Sequence, residues 1–249
     1  MPTWLEAGSW GLLAGSALVL GALVAWILPV PQRVVASVMA FGAGVLISAL
    51  SFDLMDEAER VGGLGPTVLG FVGGAAVYVA ANVALARRGA RHRKRSSGMM
   101  PSEQQQAGSG TAIAVGALLD GIPESMVLGL SLLEGGSVSV AVLVAIFLSN
   151  LPEGLSSAAG MRESGRGARY VFGVWVGVAL ASGLAGLMGV VLLQGASGAV
   201  IAVITAVAAG AILTMVADTM IPEAFEKTQL YTGLIATLGF VVAFAIGRL

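Results

Sequence analysis

The chain has 249 residues, 57% of them hydrophobic and 11% charged, with a formal net charge of −1. A soluble domain carries about 25% charged residues, so this dilution, with a mean hydropathy of +0.91, excludes an ordinary water-soluble fold. No cysteine is present, which excludes a disulfide framework, a thiolate metal site and a cysteine nucleophile.

Apolar runs predict eight membrane-crossing helices, near 9–29, 34–55, 64–86, 109–133, 137–160, 169–193, 197–220 and 229–247. Runs of roughly 18 apolar residues or more suffice to span a bilayer. Hydrocarbon offers backbone groups no water, so repeated runs of this length imply an all-α integral membrane protein. The short alternating segments of a β-barrel are missing. The first run follows MPTWLEAGSW, which has no basic stretch, and is too long for a cleaved leader, so it is expected to be retained. Pro29 and Pro31 separate the first two runs. The 36 glycines are spread through the spans, as expected where small residues let membrane helices approach closely. Residues 1–249 read as one transmembrane domain. Within it, residues 87–108 form the only long loop, a basic and polar segment expected to be flexible. His92, the sole histidine, is expected to be solvated there.

Lys and Arg set the orientation. With the N-terminus outside, the inner loops hold Arg33, then Arg87, Arg88, Arg91, Arg93, Lys94 and Arg95, then Arg162, Arg166 and Arg169, then Lys227. Only Arg60 and Arg248 remain outside, a division of 11 to 2. Both termini are therefore expected on the non-cytoplasmic side of a cell membrane, with the basic loop in the cytoplasm.

Acidic residues inside spans are costly and mark functional sites by default. Asp120, Glu124 and Glu153 fall well inside the fourth and fifth spans. Asp53 and Glu57 lie at the outer end of the second, and Asp218 and Glu223 at the inner end of the seventh. No basic residue falls in a span beside them, so the carboxylates are expected to be protonated, hydrated or met by a cation, and their spacing supports the cation. Asp120 and Glu124 are four apart and share a helix face. Ser149 and Glu153 repeat that spacing, with Asn150 between them. Together these five side chains supply the oxygen donors that a divalent cation takes. Pro123 and Pro152 each lack a backbone N–H and free the carbonyl four residues earlier, at Leu119 and Leu148, as in the interrupted helices of transporter sites. Three strings share one pattern: Ile122-Pro123-Glu124, Leu151-Pro152-Glu153 and Ile221-Pro222-Glu223. Spans two and seven end in DLMDEA (53–58) and DTMIPEA (218–224), a weak inverted repeat.

In these motifs the chain resembles the ZIP family of divalent metal transporters, close to its bacterial branch, over essentially its whole length. The resemblance implies a 3+2+3 arrangement of the eight helices, often as a homodimer. It implies import of Zn²⁺, Fe²⁺, Mn²⁺ or a similar ion, with no prosthetic group, no nucleic-acid partner and no enzymatic activity. Carried across by motif, Glu124 and Glu153 match ligands, Asp120 stands at a usual His position, Asn150 matches, and Ser149 stands where His or Gln is common. Gly121 and Gly186 stand where the family often has further donors, which implies a single metal position. The site has no imidazole. An all-oxygen shell suits Mn²⁺, Mg²⁺ or Fe²⁺ better than Zn²⁺, which favours N and S ligands. Ions are expected to enter past Asp53 and Glu57 and to leave past Asp218 and Glu223. The rivals are an intramembrane enzyme and a carrier of protons or other ions that uses the same carboxylates without metal. A Ser–His protease is excluded, because no span holds a histidine.

Overall fold

The computed structural model describes residues 2–91, 93, 100–102, 104–135 and 140–248. His92, Lys94 and Arg95 lie outside them. The described residues form ten α-helices and no strand: α1 (Thr3–Ile27), α2 (Gln32–Ala49), α3 (Met55–Gly62), α4 (Leu64–Leu85), α5 (Ser109–Gly135), α6 (Val140–Glu163), α7 (Ala168–Leu193), α8 (Gly198–Met215), α9 (Ile221–Thr228) and α10 (Thr232–Ile246).

Among the described residues, seven helical stretches are long and apolar enough to cross a bilayer. The chain is a multi-pass membrane protein. The last stretch, Gly198–Ile246, contains both the seventh and eighth expected runs. Between them the chain tightens into a 3₁₀ turn at Gln229–Tyr231, where Gln229 takes φ +47°.

Two features depart from the sequence expectation. The helices carrying Pro123 and Pro152 stay helical through both prolines. The irregular backbone lies elsewhere, in π-helical turns at Leu50–Leu54, Ala86–Ala90 and Val216–Met220. Such turns inside α-helices often occur at functional positions.

The two ends of the chain repeat one plan. Helix α2 has 18 residues, followed by a five-residue π turn and the eight-residue α3. Helix α8 has 18 residues, followed by a five-residue π turn and the eight-residue α9. The packing is reciprocal: α4 lies along α8 and α10 along α2, α3 touches α8 and α9 touches α2, and α1 packs on α6 as α7 packs on α5. Matching glycines make the approaches. A Cβ on Gly44 would lie 1.8 Å from Ala236 O and one on Gly239 2.1 Å from Phe41 O; on the other side, one on Gly74 would lie 2.0 Å from Val207 O and one on Gly210 2.0 Å from Phe71 O. In lipid, where apolar burial does not drive helices together, such close contact supplies the association.

The most enclosed helices are α2, α5, α6 and α8. Of the best apolar window, 67% is buried in the α2 stretch and 61% in each of α5 and α6, against 17% in the α4 stretch. Met39, Leu46, Leu128, Ile146, Ile212 and Met215 fill the space between them. Helices α5 and α6 scarcely touch each other, and both line this core, α5 with Val127 and Leu128 and α6 with Val142 and Ile146. Gly62, at the end of α3, abuts Gly198 and Ala199 at the start of α8. The acidic segments of α3 and α9 therefore sit at opposite ends of the bundle.

Candidate functional site

Helices α5 and α6 bring the five candidate residues into the interior of the bundle. Asp120 (2% exposed), Glu124 (1%), Ser149 (0%), Asn150 (3%) and Glu153 (3%) are all buried. The five are not equivalent. Ser149 Oγ donates to Ile146 O of its own helix at 2.9 Å. Asn150 Nδ2 donates to Ala14 O at 3.0 Å, so its amide braces α6 against α1. Ser125, beside Glu124, donates to Gly121 O at 2.9 Å and covers a carbonyl in the turn that Pro123 disturbs. Among the described residues no three His, Cys, Asp or Glu side chains converge as a metal-holding group.

The structure corrects one sequence expectation outright. A basic side chain does reach the intramembrane carboxylates. Arg93 lies beyond the end of α4, in the basic segment expected to be flexible, and is 2% exposed. Its Nε donates to Asp120 Oδ2 at 3.0 Å and its Nη2 to Asp120 Oδ1 at 3.0 Å. This is the two-pronged pairing that suits a planar guanidinium to a carboxylate. Nη1 donates to Asn82 Oδ1 at 2.7 Å and Nη2 also donates to the Tyr78 hydroxyl at 3.0 Å. That hydroxyl in turn donates to Asp120 Oδ1 at 2.5 Å. Ser157 of α6 donates to the carbonyl of Arg93. Burial disfavours the Arg93 charge, but the Asp120 carboxylate outweighs it and holds the guanidinium above its ordinary pKa, with Glu153 contributing.

The local backbone explains how Arg93 gets in. The π turn after α4 is broken at Gly89, whose φ of +95° turns the chain out of the helical path. Gly116 of α5 supplies the room: a Cβ there would lie 2.4 Å from Arg93 Cδ. Other parts of the same segment also dock. Met100 is buried, and Arg166 donates from Nη1 to Pro101 O at 3.0 Å and from Nη2 to Ser109 Oγ at 2.8 Å.

The outlying residues divide. Glu223 is 6% exposed and accepts from Ser156 Oγ of α6 at 3.4 Å, one turn beyond Glu153 and next to Ser157. It therefore belongs to the end of the core that Arg93 occupies. Asp218 is exposed. At the other end Asp53 and Glu57 are half-buried. Glu57 is paired with Arg60 on its own helix. Sequence reasoning missed Arg93, Tyr78, Asn82 and Ser156. The only hint was a polar Tyr78 and Asn82, four apart on one face of an otherwise apolar run.

The chain matches no protein-family model and no curated protein sequence.

Proposed function

We propose that the protein carries divalent metal cations across the membrane, in the manner of a ZIP transporter, through the core enclosed by α2, α5, α6 and α8. The observation that carries this reading is the burial of Glu124 and Glu153 on two helices that both line that core. Carboxylates so placed are retained at high cost unless they handle a cation. The repeated plan of the two ends supports it, because internal repeats flanking a mid-membrane site are the usual build of secondary carriers. The reciprocal packing agrees with eight crossings in a 3+2+3 order: α1, α2–α3 and α4, then α5 and α6, then α7, α8–α9 and α10. In this reading both termini face outward and Arg93 enters from the cytoplasmic end. The hard oxygen donors favour Mn²⁺ or Fe²⁺ over Zn²⁺. Rocking of the repeated helices against α5 and α6 alternates access to the ion.

Uptake of ⁵⁴Mn²⁺, ⁵⁵Fe²⁺ and ⁶⁵Zn²⁺ into proteoliposomes tests this reading. Glu124→Gln and Glu153→Gln should each abolish uptake of whichever ion the native protein carries, and undiminished uptake in both would remove the site assignment. The Arg93–Asp120 pair favours one other reading, a carrier that neutralises its carboxylates without metal and moves protons. A pH-sensitive dye inside the same vesicles separates the two, since that carrier acidifies the lumen with no divalent ion present.

A further inference from the structure

We propose that Arg93 is a tethered cation that occupies the carboxylate site while no ion is bound there, and that the transported ion must displace it from Asp120. This rests on the carrier reading above and adds to it a competitor built into the chain.

Three observations carry the inference. First, Arg93 satisfies both oxygens of Asp120 by direct hydrogen bonds, and Asp120 lies one helical turn from Glu124 on the same face of α5. A metal ion shared by these two carboxylates needs an oxygen that Arg93 now holds. Second, the guanidinium is a permanent charge, so it cannot vacate the site by losing a proton. It leaves as a cation, and an arriving M²⁺ supplies the repulsion that drives it out. Third, the pocket is shaped for Arg93. Asn82 and Tyr78 hold two of its nitrogens, Ser157 holds its carbonyl, and Gly116 leaves the space its side chain crosses. No feature of a bilayer-spanning helix requires such a nest around a residue from the connecting segment.

The consequence is a site that prefers to be shut toward the Arg93 end when empty. A tether that occupies the site about nine-tenths of the time weakens the apparent affinity about tenfold relative to the bare site.

The test is Mn²⁺ binding to purified protein in detergent, by calorimetry, for four forms. Arg93→Gln removes the charge. Gly116→Ala leaves every polar group in place but fills the space that Arg93 Cδ occupies, so it remains informative if Arg93→Gln fails to fold. Both should bind Mn²⁺ about tenfold more tightly than the native protein, while Glu124→Gln binds it more weakly. A second readout uses the absence of cysteine. Ser157→Cys places a unique thiol beneath the Arg93 carbonyl, and Mn²⁺ should speed its reaction with a maleimide as Arg93 withdraws. Binding that depends on Glu124 but is unchanged or weakened in both Arg93→Gln and Gly116→Ala would overturn the tether and leave the carrier reading standing. So would a thiol rate indifferent to Mn²⁺. No binding of Mn²⁺, Fe²⁺ or Zn²⁺ by any form overturns both.

Discussion

Arg93 and Asp120 meet through two parallel hydrogen bonds of 3.0 Å, with side chains 3% and 2% exposed. Removing one member of a buried pair leaves the other charge uncompensated, which costs about 3–5 kcal/mol, whereas replacing both with apolar groups is often neutral. Arg93→Met and Asp120→Leu should therefore each destabilise the protein by that amount. The double variant should recover most of it. Unfolding in mixed micelles with increasing SDS, read by circular dichroism, gives the double-mutant cycle. Additive losses would mean that the two charges are stabilised by other groups and not by each other.

Glu223 and Asp218 were equivalent in the sequence, both placed on an exit path. The fold separates them. Glu223 is buried beside Ser156, one turn from Glu153, whereas Asp218 is exposed. Glu223→Gln should lower the rate of metal uptake markedly, because it neutralises a buried carboxylate at the end of the core, where ionisable groups mark ion pathways. Asp218→Asn should leave it within about twofold. Initial uptake rates in proteoliposomes decide the matter, and an equal loss in both variants would restore the original equivalence.

This contrast shows what the sequence made legible. Carboxylates in an apolar run stand out because their cost in hydrocarbon is a local property, and Asp120, Glu124 and Glu153 were recognisable on that ground alone. The pairing with Asp120 was hidden because Arg93 lies 27 positions before it, in a basic run whose composition signals a flexible loop. Whether a loop residue turns inward depends on Gly89, Gly116 and a pocket formed by α4 and α5, none of which composition reports. The prolines misled in the opposite direction. A missing donor at Pro123 or Pro152 removes one bond, and the rest of a well-packed helix carries through it. The π turns had no residue signature of their own. Only the likeness of DLMDEA and DTMIPEA pointed to those two places, and the structure gives that likeness a backbone counterpart at Leu50–Leu54 and Val216–Met220.

At the opposite end of the bundle, Glu57 spends its charge on Arg60, whose side chain is 66% exposed. Pairs of this kind contribute about 0–1 kcal/mol and are screened by salt. Arg60→Gln should leave the unfolding midpoint nearly unchanged. If Glu57 helps attract cations, freeing it from Arg60 should raise uptake at low ionic strength and make no difference at high salt. An uptake rate in Arg60→Gln equal to that of the native protein at every salt concentration would show that Glu57 is a surface residue with no part in ion entry.

Gly21 and Gly154 form the crossing at which α1 supports the Pro152-Glu153 segment. A Cβ on Gly21 would lie 2.2 Å from Leu151 O, and one on Gly154 2.2 Å from Leu18 O. Both clashes are with backbone, so no side-chain rotation relieves them and the helices must separate. Asn150 Nδ2, which donates to Ala14 O, would lengthen its bond as they do. Gly154→Ala should therefore cost more than the roughly 1 kcal/mol that alanine normally gains over glycine inside a helix, reversing the sign of that preference. The expected loss is about 1–3 kcal/mol, the usual cost of forcing extra atoms into a packed interior. Gly73→Ala is the control, because a Cβ at Gly73 meets nothing within 4 Å; it should be neutral or stabilising. The same SDS titration measures both. If Gly154→Ala proves as benign as Gly73→Ala, α1 is not held against α6 at this crossing, and Glu153 is positioned by α6 and its other neighbours alone.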